Sequence, residues 1–119
     1  MDKLTGSDLD LTFTYNYDST AGSGTVIYII GMFLSLTIRP YAPHLLYLTD
    51  TGIYTDHPAF GGRASWGKTF GGYKDKDGNG HGTHCAGTAV SDRYGVAKAA
   101  KVVAVKVLGD DGKGKYSDM

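Results

Sequence analysis

Apolar residues along this chain fall into short β-branched and aromatic blocks separated by long polar, glycine-rich stretches. Thr25–Ile30 (TVIYII), entered from the turn-rich Asp18–Gly24 (DSTAGSG), predicts a buried strand. Lys101–Leu108 (KVVAVKVL) predicts a second strand of the same kind, and Leu45–Thr49 (LLYLT) is itself strand-like. Before the second of these, His81–Val90 (HGTHCAGTAV) lacks strand alternation and is rich in small residues, which predicts a short helix packed closely on a sheet. Strand, loop, helix, strand is the order of a βαβ unit, so the expected fold class is α/β with a parallel sheet, a right-handed crossover and flanking helices. The polar Gly109–Lys115 (GDDGKGK) predicts a loop, and Tyr116–Met119 the start of another helix.

Composition narrows this without changing it. A chain of 119 residues, 41% hydrophobic and 20% charged, has room for one small core. Twelve basic and twelve acidic side chains cancel, so no bulk charge selects nucleic acid or an anionic membrane as partner. The longest nearly apolar run, Val26–Ile38, is shorter than the roughly 18 to 20 residues that cross a bilayer as a helix, and no membrane span is expected. The first residues, MDKLTGSDLDLTF, have neither the basic start nor the apolar centre of a signal peptide. Cys85 is the single cysteine, so no internal disulfide forms and the redox compartment stays open.

The chemistry concentrates in Lys74–Thr88 (KDKDGNGHGTHCAGT), which admits three readings. Asp75, Asp77, Asn79 and Gly80 match the first positions of an EF-hand calcium loop, but the twelfth position, where a bidentate Glu is needed, is Ala86. The alternative for that stretch is an Asp/Asn/Gly turn closed by side-chain to backbone hydrogen bonds. His81, His84 and Cys85 are able zinc ligands, yet adjacent helical residues point about 100° apart, so three in a row of five do not readily face one ion. The third reading joins distant fragments. Asp50 stands where a strand should end and His81 where a helix should begin, and reactive groups in open α/β sheets gather at the carboxyl ends of strands. A carboxylate that accepts the Nδ1 proton of a histidine leaves Nε2 free to take a proton from a nucleophile.

On these residues the chain resembles the subtilisin-like serine proteases (subtilases, peptidase S8), in particular the proteinase K-like group with its fungal extracellular members. DTGIYTDHPAFGGRASWGKTF resembles the family's aspartate motif, DGNGHGTHCAGT its histidine motif, and YGVAKAAKVVAVKVL the connector and strand that follow. The resemblance runs from about Tyr15 to Asp118, leaving 1–14 as a divergent N-terminal segment and 15–119 as the N-terminal part of a catalytic domain. It implies that the chain is a partial subtilisin-like fold, that Asp50 is the triad aspartate and that His81 is the general base. It implies equally that Gly112, Lys113, Gly114 and Tyr116 form an edge that pairs with substrate as an added strand. Lys113 replaces a usually small residue there, which leaves substrate preference open. No cofactor is required and no metal ligand is assigned, with calcium expected only as a structural ion of the full-length family. A protein or peptide substrate and an extracellular location are implied in the same way.

Two departures qualify the resemblance. The family's Gly-Thr-Ser-Met-Ala nucleophile motif and its oxyanion-hole asparagine have no counterpart in this sequence. Losing even one oxyanion donor costs about 10² to 10³ in rate, so the chain alone is expected to be inactive. The other is Gly31–Thr49, which interrupts the family pattern: without it, TVIYII would run straight into Asp50. These residues read as a translated, unspliced intron, since Gly31-Met32 can be written GGTATG and Thr49-Asp50 can be written ACAGAC. Either VIYII keeps its place in the sheet and Asp50 hangs from a long loop, or Leu45–Thr49 takes the place and delivers Asp50. The second is favoured, and VIYII must then pair elsewhere or become an aggregation-prone edge. The rival to an enzymatic reading is a non-catalytic fragment that binds a protein, or a second copy of itself, through an exposed sheet edge.

Overall fold

The computed structural model of the chain describes residues 18–23, 28–30 and 45–118. The divergent segment 1–14, the start of the first expected strand at 25–27 and most of the 31–49 segment lie outside those residues. Four parallel strands, β1 (Tyr28–Ile30), β2 (Leu45–Asp50), β3 (Ala64–Thr69) and β4 (Lys101–Lys106), form a sheet in the order β1-β2-β4-β3. One helix, α1 (His81–Val90), packs on β2 and β4, and short 3-10 turns cover Pro58–Phe60 and Tyr116–Asp118. The α/β class with a parallel sheet is therefore the observed one, and α1 has the bounds its small-residue run suggests. Among the described residues no helix is long and apolar enough to cross a membrane.

The competition for the strand beside β4 has a definite outcome. β2 pairs with β4 along its whole length, from Leu45 opposite Lys101 to Asp50 opposite Lys106. β1 is displaced one place outward, onto the far side of β2. There Tyr28, Ile29 and Ile30 stand opposite Tyr47, Leu48 and Thr49. Tyr28–Ile30 and Tyr47–Thr49 thus lie side by side in the alignment that the similar patterns of the two stretches suggest, and the copy attached directly to Asp50 holds the inner position.

Three boundaries differ from expectation. β4 stops at Lys106 rather than Leu108, because the Val107 and Leu108 amides turn to donate to the Asp50 carbonyl at 3.0 and 3.2 Å. β3 (ASWGKT) was hidden by Gly67, which weakens a strand pattern. Its register shifts between Trp66 and Lys68, and a Cβ on Gly67 would come within 2.5 Å of Val103 Cγ1, so glycine serves a bulge there. The segment expected to open a helix at Tyr116 makes only a 3-10 turn.

The core lies between α1 and the sheet and is built of small side chains around a few larger ones: Ile53, Phe60, Ala86, Val90, Ala97, Ala100, Val102 and Ala104. Small residues at Ala86 and Ala104 let the helix backbone come close to the strands. The helix ends on Arg63, whose guanidinium donates to the carbonyls of Val90 and Ala100 at 2.7 and 2.9 Å, cationic support at the C-terminal end of a helix.

Because β1 already lies in register with β2, removal of residues 31–49 should let Thr25–Ile30 take the β2 position and lead straight into Asp50. The expected outcome is a shortened chain that unfolds cooperatively at a temperature no lower than the parent, measured by circular dichroism. Loss of the transition would show that the two strands are not interchangeable.

Candidate active site

Asp50 is the last residue of β2 and is fully buried, while His81 is the first residue of α1 and keeps half of its side chain exposed. The two meet across the rim of the sheet: Nδ1 of His81 lies 2.9 Å from both carboxylate oxygens of Asp50. A carboxylate only accepts, so the Nδ1 proton belongs to the imidazole and Nε2 is left as the free lone pair. The Thr51 amide donates to Asp50 Oδ1 at 2.6 Å, so the buried carboxylate is supplied with donors from backbone and imidazole together.

Helix and strand come this close because of Gly82. A Cβ there would sit 2.1 Å from the Gly52 carbonyl oxygen and 3.2 Å from Asp50 Cβ. With only hydrogen in that space, the Gly82 amide reaches the buried Thr51 hydroxyl at 3.1 Å. Gly52 itself has φ 112°, a conformation that favours glycine, and turns the chain away under Trp66.

The turn before α1 is organised by Asp77. Its Oδ1 accepts from the Thr51 hydroxyl at 2.8 Å and from the Gly80 and Asn79 amides at 2.8 and 3.2 Å. Its Oδ2 accepts from the Thr83 amide at 3.0 Å and from the Thr83 hydroxyl. Gly80 stands at the N-cap and has no side chain to cap with, so Asp77 does that work from three residues upstream. Burial raises the Asp77 pKa, but hydrogen bonds from Thr83, Gly80 and Thr51 outweigh it and hold the carboxyl below its ordinary value.

This disposes of the EF-hand reading. Both Asp77 oxygens are filled by internal donors, Asp75 Oδ1 accepts from the Thr69 hydroxyl, and Asn79 Oδ1 accepts from the His81 amide. The residues of that loop do not fit a calcium ion, and the stretch is an Asp/Asn/Gly turn. The zinc set is also rearranged. Among the described residues, the potential ligand atoms that converge, within 4.8 Å of one another, belong to Asp50, His81 and Cys85, without His84. Cys85 Sγ sits 3.9 Å from both ring nitrogens of His81, one helical turn on. Burial, and secondly the negative charge of Asp50, push the Cys85 thiol pKa up, which opposes the thiolate that a metal or an electrophile would need.

Gly112, Lys113 and Gly114 lie in a closed loop after β4 and belong to no strand. The Gly109 amide donates to the Lys113 carbonyl at 2.7 Å and the Gly112 amide to the Gly109 carbonyl at 2.9 Å, which curls the segment back on itself. Tyr116 begins the 3-10 turn that follows. The segment is thus not an extended edge here: the Gly112 and Lys113 amides and the Lys113 carbonyl are engaged within the loop. The loop does reach the site: Asn79 Nδ2 donates to the Asp110 carbonyl at 3.0 Å and the Gly78 amide to Asp110 Oδ1 at 3.2 Å. His57 stands apart, capping the 3-10 turn through Nδ1, which accepts from the Ala59 amide at 3.1 Å.

Sequence reading missed Thr51, Lys106 and Asp110, and saw Asp77 as a calcium-loop candidate or a turn residue rather than as the cap of α1. Lys106 left a signal, a cation flanked on both sides by apolar residues within KVVAVKVL.

Residues 45–119 match the sequence model of the subtilase family. The match begins at β2, the strand that delivers Asp50. A subtilisin-like serine protease of Rhodotorula mucilaginosa is 48% identical over 106 residues, which cover 88% of this chain and 25% of that protein. Proteinase R of Parengyodontium album is 47% identical over 107 residues, 89% of this chain and 22% of that protein. Among solved structures, a cold adapted subtilisin-like serine proteinase superposes with a TM-score of 0.60 at 38% identity, covering 76% of this chain and 36% of the other. The chain therefore spans about a quarter of the length of the curated relatives it matches.

Two outcomes follow from the geometry. Gly82→Ala should force α1 away from Gly52 and destabilise the chain by about 1 to 3 kcal/mol; a melting temperature equal to the parent's would contradict the contact. Asp77 has a depressed native pKa, so its contribution is full above the unfolded value of about 3.9 and is lost as pH falls through the lower native value. Asp77→Asn should therefore melt lower at pH 7 and show less acid-induced loss of stability than the parent, as read from melts between about pH 7 and 2.

Proposed function

Because this chain belongs to the subtilase family, we propose that it supplies the aspartate and the general base of a Ser-His-Asp endopeptidase acting on proteins outside the cell. The observation that carries the reading is the pair of 2.9 Å contacts between a buried carboxylate and a half-exposed imidazole at the carboxyl end of a parallel strand.

In the proposed reaction, Nε2 of His81 takes the hydroxyl proton of the nucleophilic serine as its oxygen bonds to the scissile carbonyl carbon. The imidazolium, steadied by Asp50 through Nδ1, then gives that proton to the leaving amine. Water repeats the sequence, releases the acid and restores the serine. Asp50 keeps its charge throughout; its buried position, between a backbone amide and the imidazole, holds the ring in one tautomer and one orientation. Cys85, beside the same ring, is no rival nucleophile, since its thiol is kept protonated. The serine and the oxyanion donors are assigned to the part of the domain that corresponds to the remaining length of the relatives. No cofactor takes part in these proton transfers, and calcium enters only as a structural ion of that longer domain. The loop 112–116 is assigned to the substrate side of the site, where opening of the Gly109–Lys113 contact would free backbone groups for an extended peptide.

The test is a chimera in which residues 45–119 are continued by the matching remainder of a fungal relative. It should hydrolyse a generic peptide, and His81→Ala should lower kcat by a factor on the order of 10⁴ to 10⁶. A folded chimera without activity, or one indifferent to His81→Ala, overturns the proposal.

A further inference from the structure

We propose that Lys106 and Asp110 are positioning residues that hold Asp50 and His81 in register, closing from behind the contact that the two side chains make in front. The proposal rests on the reading of Asp50 and His81 as half of a triad, and extends it to a cation and a carboxylate that touch neither substrate nor reacting atoms.

Lys106 is the last residue of β4, opposite Asp50 in the register of β2 and opposite Thr69 in that of β3. Its side chain is only 1% exposed. Burying an ammonium group is unfavourable unless it is paired and hydrogen-bonded, and an apolar side chain of similar size usually serves a core at least as well. The partners Lys106 finds are specific. Nζ donates to the carbonyl of Thr51, the residue immediately after Asp50, at 2.5 Å, and to Asp110 Oδ1 at 3.1 Å, and it lies 5.6 Å from the centre of the Tyr73 ring. Asp110 in turn accepts the Gly78 amide on the same oxygen at 3.2 Å and the Asn79 side-chain amide on its carbonyl at 3.0 Å. Asn79 Oδ1 accepts the amide of His81 at 3.2 Å. The path Thr51, Lys106, Asp110, Asn79, His81 is a ring of polar contacts whose two ends are the backbone neighbours of the carboxylate and the imidazole themselves. Gly78 is part of the fit: a Cβ there would fall 2.2 Å from an Asp110 oxygen.

Three loops meet at this pair, the one leaving β2, the turn before α1 and the loop leaving β4. Asp77 ties the first of these to the second through the Thr51 hydroxyl, and the Val107 and Leu108 amides tie the end of β4 to Asp50; the ammonium and carboxylate add the link that joins the loop leaving β4 to both of the others. Loosening the ring should let the Asp50–His81 contact open without unfolding the sheet.

The experiment measures exchange of the His81 Nδ1 proton by nuclear magnetic resonance in the full chain, beside the backbone amides of Val103 and Ala104 in β4. In the parent the Nδ1 proton should be protected and Asp50→Asn should abolish that protection. Asp110→Ala, which removes a carboxylate that is 61% exposed and leaves Lys106 its bond to the Thr51 carbonyl, should speed exchange of the Nδ1 proton about tenfold, the worth of roughly one charge-assisted hydrogen bond, while the β4 amides keep their rates. Lys106→Met should do the same, and the double variant should be no worse than the more affected single one, since both break one ring. A Nδ1 proton unchanged by Asp110→Ala, or one that accelerates by the same factor as the β4 amides, overturns the positioning role while leaving the Asp50–His81 pairing intact. A parent chain with no protected Nδ1 proton overturns the pairing and, with it, the proposal.

Discussion

The approach of the first turn of α1 to the end of β2 is the constraint on which the rest of the site depends. It is set by a missing atom: only glycine at position 82 leaves the helix backbone room beside the Gly52 carbonyl. Once there, the Gly82 amide bonds the buried Thr51 hydroxyl and the preceding residue, His81, faces the Asp50 carboxylate. A helix standing one side chain further off would keep the same sheet and the same core, and would separate the imidazole from its partner. Close packing by small residues is therefore a functional property here as much as a packing one.

Electrostatics then divides labour among three carboxylates within one short stretch of space. Asp50 is fully buried and spends its oxygens on the imidazole and one amide. Asp77 is partly buried and spends its oxygens on capping α1, which is why the histidine motif opens with an aspartate turn rather than with a metal loop. Asp110 is largely exposed and is tied inward by Lys106. The same residue type thus serves as proton-holding partner, helix cap and anchor, according to its burial and its donors. Cys85 fits the same account, since the charge that orients His81 also helps to keep the neighbouring thiol protonated.

The sheet shows how a chain with two similar strands resolves the choice between them. β1 and β2 carry nearly matching patterns and lie side by side in matching register, yet only β2 is covalently continuous with Asp50. The inner position beside β4 also lets the Asp50 carbonyl accept from the amides of Val107 and Leu108 just beyond the end of β4. Those contacts are available to whichever strand ends in Asp50-Thr51, and β1 does not. The subtilase match, which begins at Leu45, follows the same boundary.

Much of this was legible in the chain itself. Local composition determined α1, because a run of small residues after a glycine turn suits a helix laid close on a sheet. It determined most of β4, a run of apolar residues long enough for a buried strand, and it marked Asp50 and His81 as a carboxylate and an imidazole at the ends of adjacent elements. β3 was not legible, since Gly67 and Lys68 blur its alternation and only pairing with β4 makes the bulge a strand. The sequence favoured the inner position of β2 over β1 without deciding it, and the curled form of the 109–114 loop and the roles of Lys106 and Asp110 were not legible. Each of these is a contest between partners that local pattern makes nearly equal, or a contact between residues tens of positions apart. Short-range propensity carries no information about which distant backbone group will be within hydrogen-bond reach. That is decided only when strands, helix and loops are packed together and every buried donor and acceptor must find its partner.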